Sequence, residues 1–234
     1  MCIRDSSNVS HELKTPLTSI QWSVANLKDG IYGPMMDKQV ECIENLSKIV
    51  EHLQYMIKDL LDISLIEAGK MEVNLKKVFL KDAISDAVML VDCSASDKEI
   101  SINISGPDDL SVIADPERIV QILRNLLHNS IAYSDANKII NVSWNEKYIN
   151  SQPGVETHVI DRGWGIPEEI QTSMFDRFFR GVPTGKEKGI GIGLNIVKNL
   201  IDLQNGALSF KSVVNQGTHF TLWLPSTFGE KNES

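Results

Sequence analysis

From Leu13 to Ile63 the apolar residues step along the chain by threes and fours, with one interruption. That period belongs to helices and not to strands. Leu13, Leu17, Ile20, Val24, Leu27 and Ile31 form one stripe. The run Asp29-Gly30-Ile31-Tyr32-Gly33-Pro34 breaks it with two glycines and a proline, which end a helix. A second, longer helix opens near Met36. It carries a heptad stripe of Ile43, Leu46, Val50, Leu53, Ile57 and Leu60, and an adjacent stripe of Ile49, Met56 and Ile63. Two stripes are more than one partner helix can cover. Pairing with a second copy into a four-helix bundle buries the surplus. The competing arrangement packs this face on the rest of the same chain. Residues 1–70 are therefore expected to form a helical hairpin, and the protein a homodimer.

The texture changes after Glu67-Ala68-Gly69-Lys70. Short alternating segments predict strands over Met71–Phe79, Ile100–Ser105, Ser111–Ala114, Ile139–Trp144, Val155–Ile160, Ala207–Ser212 and Thr218–Leu224. Helical patterns lie between them at Lys81–Ala95, Pro116–Tyr133 and Gly193–Gln204. Strands mixed with helices without strict alternation predict an α+β sandwich of one sheet and one helix layer over 71–228, with a tail over 229–234. A length of 234 residues suits two such domains.

Composition narrows the function. The net charge of −8 opposes general nucleic-acid binding, which needs a basic surface. No apolar run approaches the roughly 20 residues that span a bilayer. The start, Met1 to Ser10, lacks a secretory leader's apolar stretch. The three cysteines, Cys2, Cys42 and Cys93, show no metal-ligand spacing and read as free thiols of a cytoplasmic protein.

Helical geometry places His11 roughly opposite the apolar stripe, on one face with Thr15 and Trp22. An exposed imidazole near neutral pH keeps a lone pair for attack on phosphorus, and the adjoining Glu12 can accept a proton. Taken alone, that pair is an ordinary surface pair. Further on, Asp115-Pro116-Glu117-Arg118 reads as a capped helix start. Asn125 and Asn129, four apart on the flank of that helix, suit a hydrated Mg²⁺, although isolated asparagines are usually plain surface residues. Asp161 ends a strand, where its carboxylate can accept from an exocyclic amine such as adenine's. Gly163 and Gly165 would let the backbone approach a flat base. Gly189-Ile190-Gly191-Ile192-Gly193-Leu194 leads into a helix and can present N–H groups to phosphates. Between them, Phe175 to Arg180 and the polar stretch to Lys188 read as a flap.

The string Asn8-Val9-Ser10-His11-Glu12-Leu13-Lys14-Thr15-Pro16-Leu17-Thr18 closely resembles the phospho-acceptor box of the sensor histidine kinases. The later segments, in the same order, resemble that family's asparagine, glycine, phenylalanine and second glycine boxes, on the fold shared with gyrase, Hsp90 and MutL ATPases. The resemblance runs from about Ser7 to Pro225. It implies that His11 is phosphorylated from ATP, that Glu12 assists proton transfer, and that Thr15 positions water for dephosphorylating a partner. It implies Asn129 as the Mg²⁺ ligand with Asn125 in support, and Asp161 as the reader of adenine. Gly163, Gly165 and Thr218 would line the base pocket, together with Tyr133 and Ile166 from the same boxes. Gly189, Gly191, Gly193 and Leu194 would frame the phosphates, and Arg180 would reach the γ-phosphate. The implied partner is the receiver domain of a response regulator.

Two departures stand out. The family's lysine three residues after the second asparagine is here Ala132, which removes one phosphate contact worth about 1–3 kcal/mol. Lys186 or Lys188 can substitute. The first helix also has only ten residues before His11, so the chain is expected to be the cytoplasmic part of a longer, membrane-anchored sensor, its first residues a cloning remnant. The rival readings are an ATPase of the same fold and a non-catalytic, regulator-binding scaffold. The first lacks a water-activating base, because Asn125 stands where those ATPases carry glutamate. Neither the signal nor the regulator is encoded in the sequence.

Overall fold

The computed structural model describes residues 3–179 and 191–228, with residues 3–14 and His52 given by their backbone alone. The chain divides into two units, Met1–Met71 and Glu72–Ser234.

The first unit is a helical hairpin of α1 (Ile3–Lys28) and α2 (Asp37–Glu67). Helix α1 starts well before the periodic stretch that opens at Leu13, because no glycine or proline lies between Ile3 and Pro16 to stop it. Its buried stripe is narrower than expected. Leu17 and Val24 are buried, whereas Ile20 is exposed and Ile31 lies in the turn beyond the helix end. Seven residues turn 700°, so Leu17 and Val24 nearly coincide, and Ile20 sits about 60° off that line. The turn uses Gly30 at φ +71° and Gly33 at φ +110°, angles that favour glycine. Gln54 Nε2 donates to Gln21 Oε1 at 2.8 Å and ties the two helices. Helix α2 ends in a Schellman turn: Gly69 N donates to Ile66 O at 2.9 Å and Lys70 N to Leu65 O at 2.9 Å.

The second unit is α+β. Its strands are β1 (Lys76–Phe79), β2 (Ser101–Ser105), β3 (Ser111–Ala114), β4 (Ile139–Ile149), β5 (Gln152–Ile160), β6 (Ala207–Val213) and β7 (Gly217–Pro225). Its helices are α3 (Leu80–Ser96), α4 (Pro116–Ala132), α5 (Glu168–Gln171) and α6 (Gly193–Asp202). Five strands form a mixed sheet in the order β2-β4-β5-β7-β6, with only β2 and β4 parallel. Strands β1 and β3 form a separate antiparallel pair, so there are two sheets where one was expected. The strand expected over Met71–Phe79 is confined to its last four residues, the only ones that find a ladder partner.

Strands β4 and β5 extend beyond the alternating segments and join through Asn150 and Ser151, both at positive φ. That is the two-residue turn whose twist suits a hairpin. Along β5 and β7, Val155, Thr157, Val159, Phe220, Leu222 and Leu224 are buried. Ile84, Ile119, Ile122, Leu126, Ile196 and Leu200 are buried in the helix layer, where α4 packs on β5 and between α3 and α6.

Candidate functional site

Helix α4 is fixed at its start by its cap. Asp115 Oδ1 accepts from Glu117 N at 3.0 Å and Arg118 N at 3.2 Å, while its Oδ2 accepts from Asn74 N at 2.8 Å. Asp115 N donates to Oε1 of the buried Gln204 at 2.8 Å, which joins the start of α4 to the end of α6. The two helices therefore pack side by side, with the middle of α4 facing the start of α6.

Asn125 is only 7% exposed, and so is set deeper than the flank position expected for it. Its Oδ1 accepts from Arg124 Nη2 at 3.0 Å, and its buried Nδ2 finds no partner among the described residues. A Cβ placed on Gly193, the first residue of α6, would lie 3.9 Å from Asn125 Cγ. An orphaned amide donor thus faces a helix start that no side chain caps. Asn129 is half-buried one turn further along α4. Phosphate oxygens fit the donors, and a hydrated Mg²⁺ fits the amide oxygen of Asn129, since Asn125 Oδ1 is already engaged. Leu194 is half-buried on the first turn of α6. Gly191 lies at φ +76°, where a Cβ would strike Phe179 O. Arg180 and Gly189, like Lys186 and Lys188, lie outside the described residues.

The other end of α4 meets the end of β5. Asp161 is 8% exposed. Its Oδ1 accepts from Gly163 N at 2.9 Å and Thr218 N at 3.0 Å, and its Oδ2 from Ser130 Oγ at 3.2 Å. Burial pushes this carboxyl above its ordinary value, against the pull of those three hydrogen bonds. The following turn is clasped on both sides. Trp164 N donates to Tyr133 O at 2.9 Å, and the two rings meet edge to face. Ile166 N donates to Ser212 Oγ at 2.8 Å, and that oxygen lies 2.9 Å from Thr218 Oγ1.

The glycines of this turn have a structural reason of their own. A Cβ on Gly163 would strike Tyr133 O, and one on Gly165, at φ +69°, would strike Val213 O. The protein's own backbone requires them.

Asp161, Gly163, Gly165, Ile166, Thr218 and Tyr133 thus converge around one turn, and Asn125 with Gly193 around another, both along α4. Three residues that sequence reasoning left out of the site hold it together. Ser130 and Ser212 are hydroxyl partners whose roles depend on contacts 31 and 46 residues away in the chain. Lys98 Nζ donates to Ile131 O at 3.0 Å, Ala132 O at 2.8 Å and Ser134 O at 3.3 Å, a cation on the carbonyl end of α4. Thr15 is exposed in the first unit, and Trp22 is 68% exposed on the same helix. The backbone of α1 includes His11 and Glu12, whose side chains lie outside the described residues.

Residues 6–69 match the family described as His Kinase A (phospho-acceptor) domain, and residues 114–227 the family described as histidine kinase-, DNA gyrase B-, and HSP90-like ATPase. The circadian input-output histidine kinase CikA of Synechococcus elongatus is 32% identical over 225 residues, covering 94% of this chain and 29% of that protein. The sensor-like histidine kinase SenX3 of Mycobacterium tuberculosis is 30% identical over 224 residues, covering 94% of this chain and 53% of its own length. The chain therefore spans about a third to a half of these relatives. Among solved structures, the catalytic domain of histidine kinase ThkA superposes with a TM-score of 0.58 at 28% identity, over 67% of this chain and all of that one. Full-length ShkA in complex with AMPPNP gives 0.72 over 95% of this chain and 45% of that chain, at 23% identity, which speaks for the fold.

Proposed function

Since the chain belongs to the sensor histidine kinases, carrying their phospho-acceptor and ATPase domains in series, we propose that it transfers the γ-phosphate of ATP to His11 and then to an aspartate of a response-regulator receiver domain. A nitrogen of His11 attacks the γ-phosphorus as the bond to the β-phosphate oxygen breaks and ADP leaves. Glu12 takes up the proton. Bound Mg²⁺, held through Asn129, supplies charge neutralisation at the phosphates. The chain's own contribution is position and electrostatics. Asp161 accepts from the adenine amine, while the orphaned Nδ2 of Asn125 and the open start of α6 donate to phosphate oxygens.

One observation carries this reading. A buried carboxylate, held by two backbone N–H groups and a serine, stands at one end of α4, and a buried amide with no partner among the described residues faces a helix N-terminus from its middle. A base with an exocyclic amine and a polyphosphate matches both places. Incubation with Mg²⁺ and γ-labelled ATP tests it. Acid-labile, alkali-stable label on the protein, absent from His11→Gln, is the expected result. Free phosphate without protein label would select the ATPase of the same fold, and neither product would select a regulator-binding scaffold.

Dimerisation is supported by α2. Leu46, Ile49, Leu53 and Leu60 stay exposed in the single chain, with Ile49 at 62%, and they repeat at helical spacing. Burial against a second copy forms the four-helix bundle. Among the described residues no helix is long and apolar enough to cross a membrane. The proposed use of ATP and of a receiver-domain partner supports a cytoplasmic location for this part. Thr15, exposed on α1 near His11, is proposed to position water when the regulator is dephosphorylated.

A further inference from the structure

The mixed sheet has a second face, turned away from the helices, where β5 and β7 present polar side chains. His158 and Thr221 are direct partners in the β5–β7 ladder, and His219 stands two residues from Thr221 on the same face. His158 Nδ1 lies 3.0 Å from His219 Nε2, His219 Nε2 lies 3.2 Å from Thr221 Oγ1, and His158 Nδ1 lies 3.3 Å from Thr221 Oγ1. Three donor atoms thus form a nearly equilateral triangle at a half-buried surface. A cation bound at about 2.1 Å sets neighbouring donors about 3.0 Å apart in an octahedral shell and about 3.4 Å apart in a tetrahedral one. The observed edges, three hydrogen bonds, fall within that interval, so an ion could replace the shared protons without moving the side chains.

The surroundings agree. Glu156 Oε2 lies 3.4 Å from His158 Nε2. A carboxylate there can accept from Nε2–H and leave the Nδ1 lone pair directed at the triangle, the arrangement that orients histidine ligands. Lys211 faces His219 across the β6–β7 ladder, and Glu156 offsets part of its charge. Among the described residues no three His, Cys, Asp or Glu side chains converge on a cation, so this set is of another kind. Two imidazoles and a hydroxyl suit borderline divalent ions and not Mg²⁺ or Ca²⁺, which take carboxylate oxygens.

We propose that His158, His219 and Thr221 form a binding site for a divalent cation of the zinc class, with water completing its shell. The ion fastens β5 to β7. Those strands also present Asp161, three residues past His158, and Thr218, next to His219, so occupancy stiffens the frame of the carboxylate pocket from behind.

Zinc titrated calorimetrically into the full chain, without nucleotide or Mg²⁺, tests the proposal. Wild type and His128→Asn are expected to bind one equivalent with equal affinity. His158→Asn and His219→Asn are expected to bind at least ten-fold more weakly, with unchanged circular dichroism. Equal affinity in all four proteins is surface binding only and overturns the site, as does the absence of binding up to millimolar zinc. Should either variant fail to fold, the wild-type imidazole proton resonances decide. Substoichiometric zinc must shift those of His158 and His219, and unmoved resonances refute the assignment.

Discussion

Asp161 shows how one residue can be read in opposite directions by stability and by function. Its carboxylate is buried, so the charged form is disfavoured in the folded state and its pKa lies above the ordinary 3.8. The folded protein then holds more protons than the unfolded one between 3.8 and the raised value, so unfolding free energy falls as pH rises through that window. Asp161→Asn removes this dependence. Asparagine Oδ1 can still accept from Gly163 N and Thr218 N, and its Nδ2 can donate to Ser130 Oγ. Urea unfolding is expected to show the variant gaining on wild type as pH climbs from 3.8 towards neutrality. Nucleotide affinity should fall at the same time, because an amide NH₂ cannot accept from the adenine amine. A variant that binds ATP like wild type would remove Asp161 from the pocket.

The glycines divide in the same way. Gly163→Ala forces a Cβ onto Tyr133 O, and overpacking of that kind costs about 1–3 kcal/mol, readable as a lower urea midpoint. Gly193→Ala meets only ordinary contact with Asn125 Cγ at 3.9 Å, so stability should stay within about 0.5 kcal/mol. The methyl nonetheless enters the space where the orphaned Nδ2 faces the start of α6, and ATP affinity should drop.

At the scale of elements, α4 is the beam on which the site hangs. Its first turn is held by Asp115 and its last by Lys98. Asp115→Ala leaves the first N–H groups without their cap and is expected to destabilise the second unit by about 1 kcal/mol in denaturant unfolding. Lys98 is more telling, because its three carbonyl partners flank Tyr133 and the clasped turn. Lys98→Met removes the cation from the carbonyl end and keeps the aliphatic stem. ATP affinity is expected to weaken together with stability, and nucleotide binding that stays intact would show the cap to be purely structural. The cap also bears on Ala132, whose own carbonyl it takes while its side chain offers nothing to a phosphate.

At the scale of the whole molecule, α2 carries apolar surface that one chain leaves wet. A leucine fully buried contributes about 1.5–3 kcal/mol, and two-fold symmetry counts each position twice. Leu53→Lys places two charges in the proposed bundle core. Sedimentation at micromolar concentration should find wild type dimeric and the variant monomeric. A monomeric wild type would leave the exposed stripe without the proposed partner.

Much was legible in advance, for identifiable reasons. Helical periodicity marked α1 and α2, and Asp115-Pro116 marked the start of α4, because those signals are local and repeat within a turn. Gly69 marked the end of α2, because only a left-handed residue closes a Schellman turn cheaply. The outer part of β4 escaped notice because both its faces are exposed from Asn145 to Tyr148, so no alternation exists to read.

The sequence alone determined the two-part plan, the order of every described element except the short α5, and the identity of Asp161, Asn125 and the glycines as unusual residues, since spacing and residue type suffice for these. Only the tertiary structure decided what surrounds them. Ser130 and Ser212 became partners of the pocket, Gly163 proved to be pressed by its own chain, and His158 met His219. Such contacts are made between residues tens of positions apart, and their geometry is set by strand register and helix packing, which no local pattern in the sequence records.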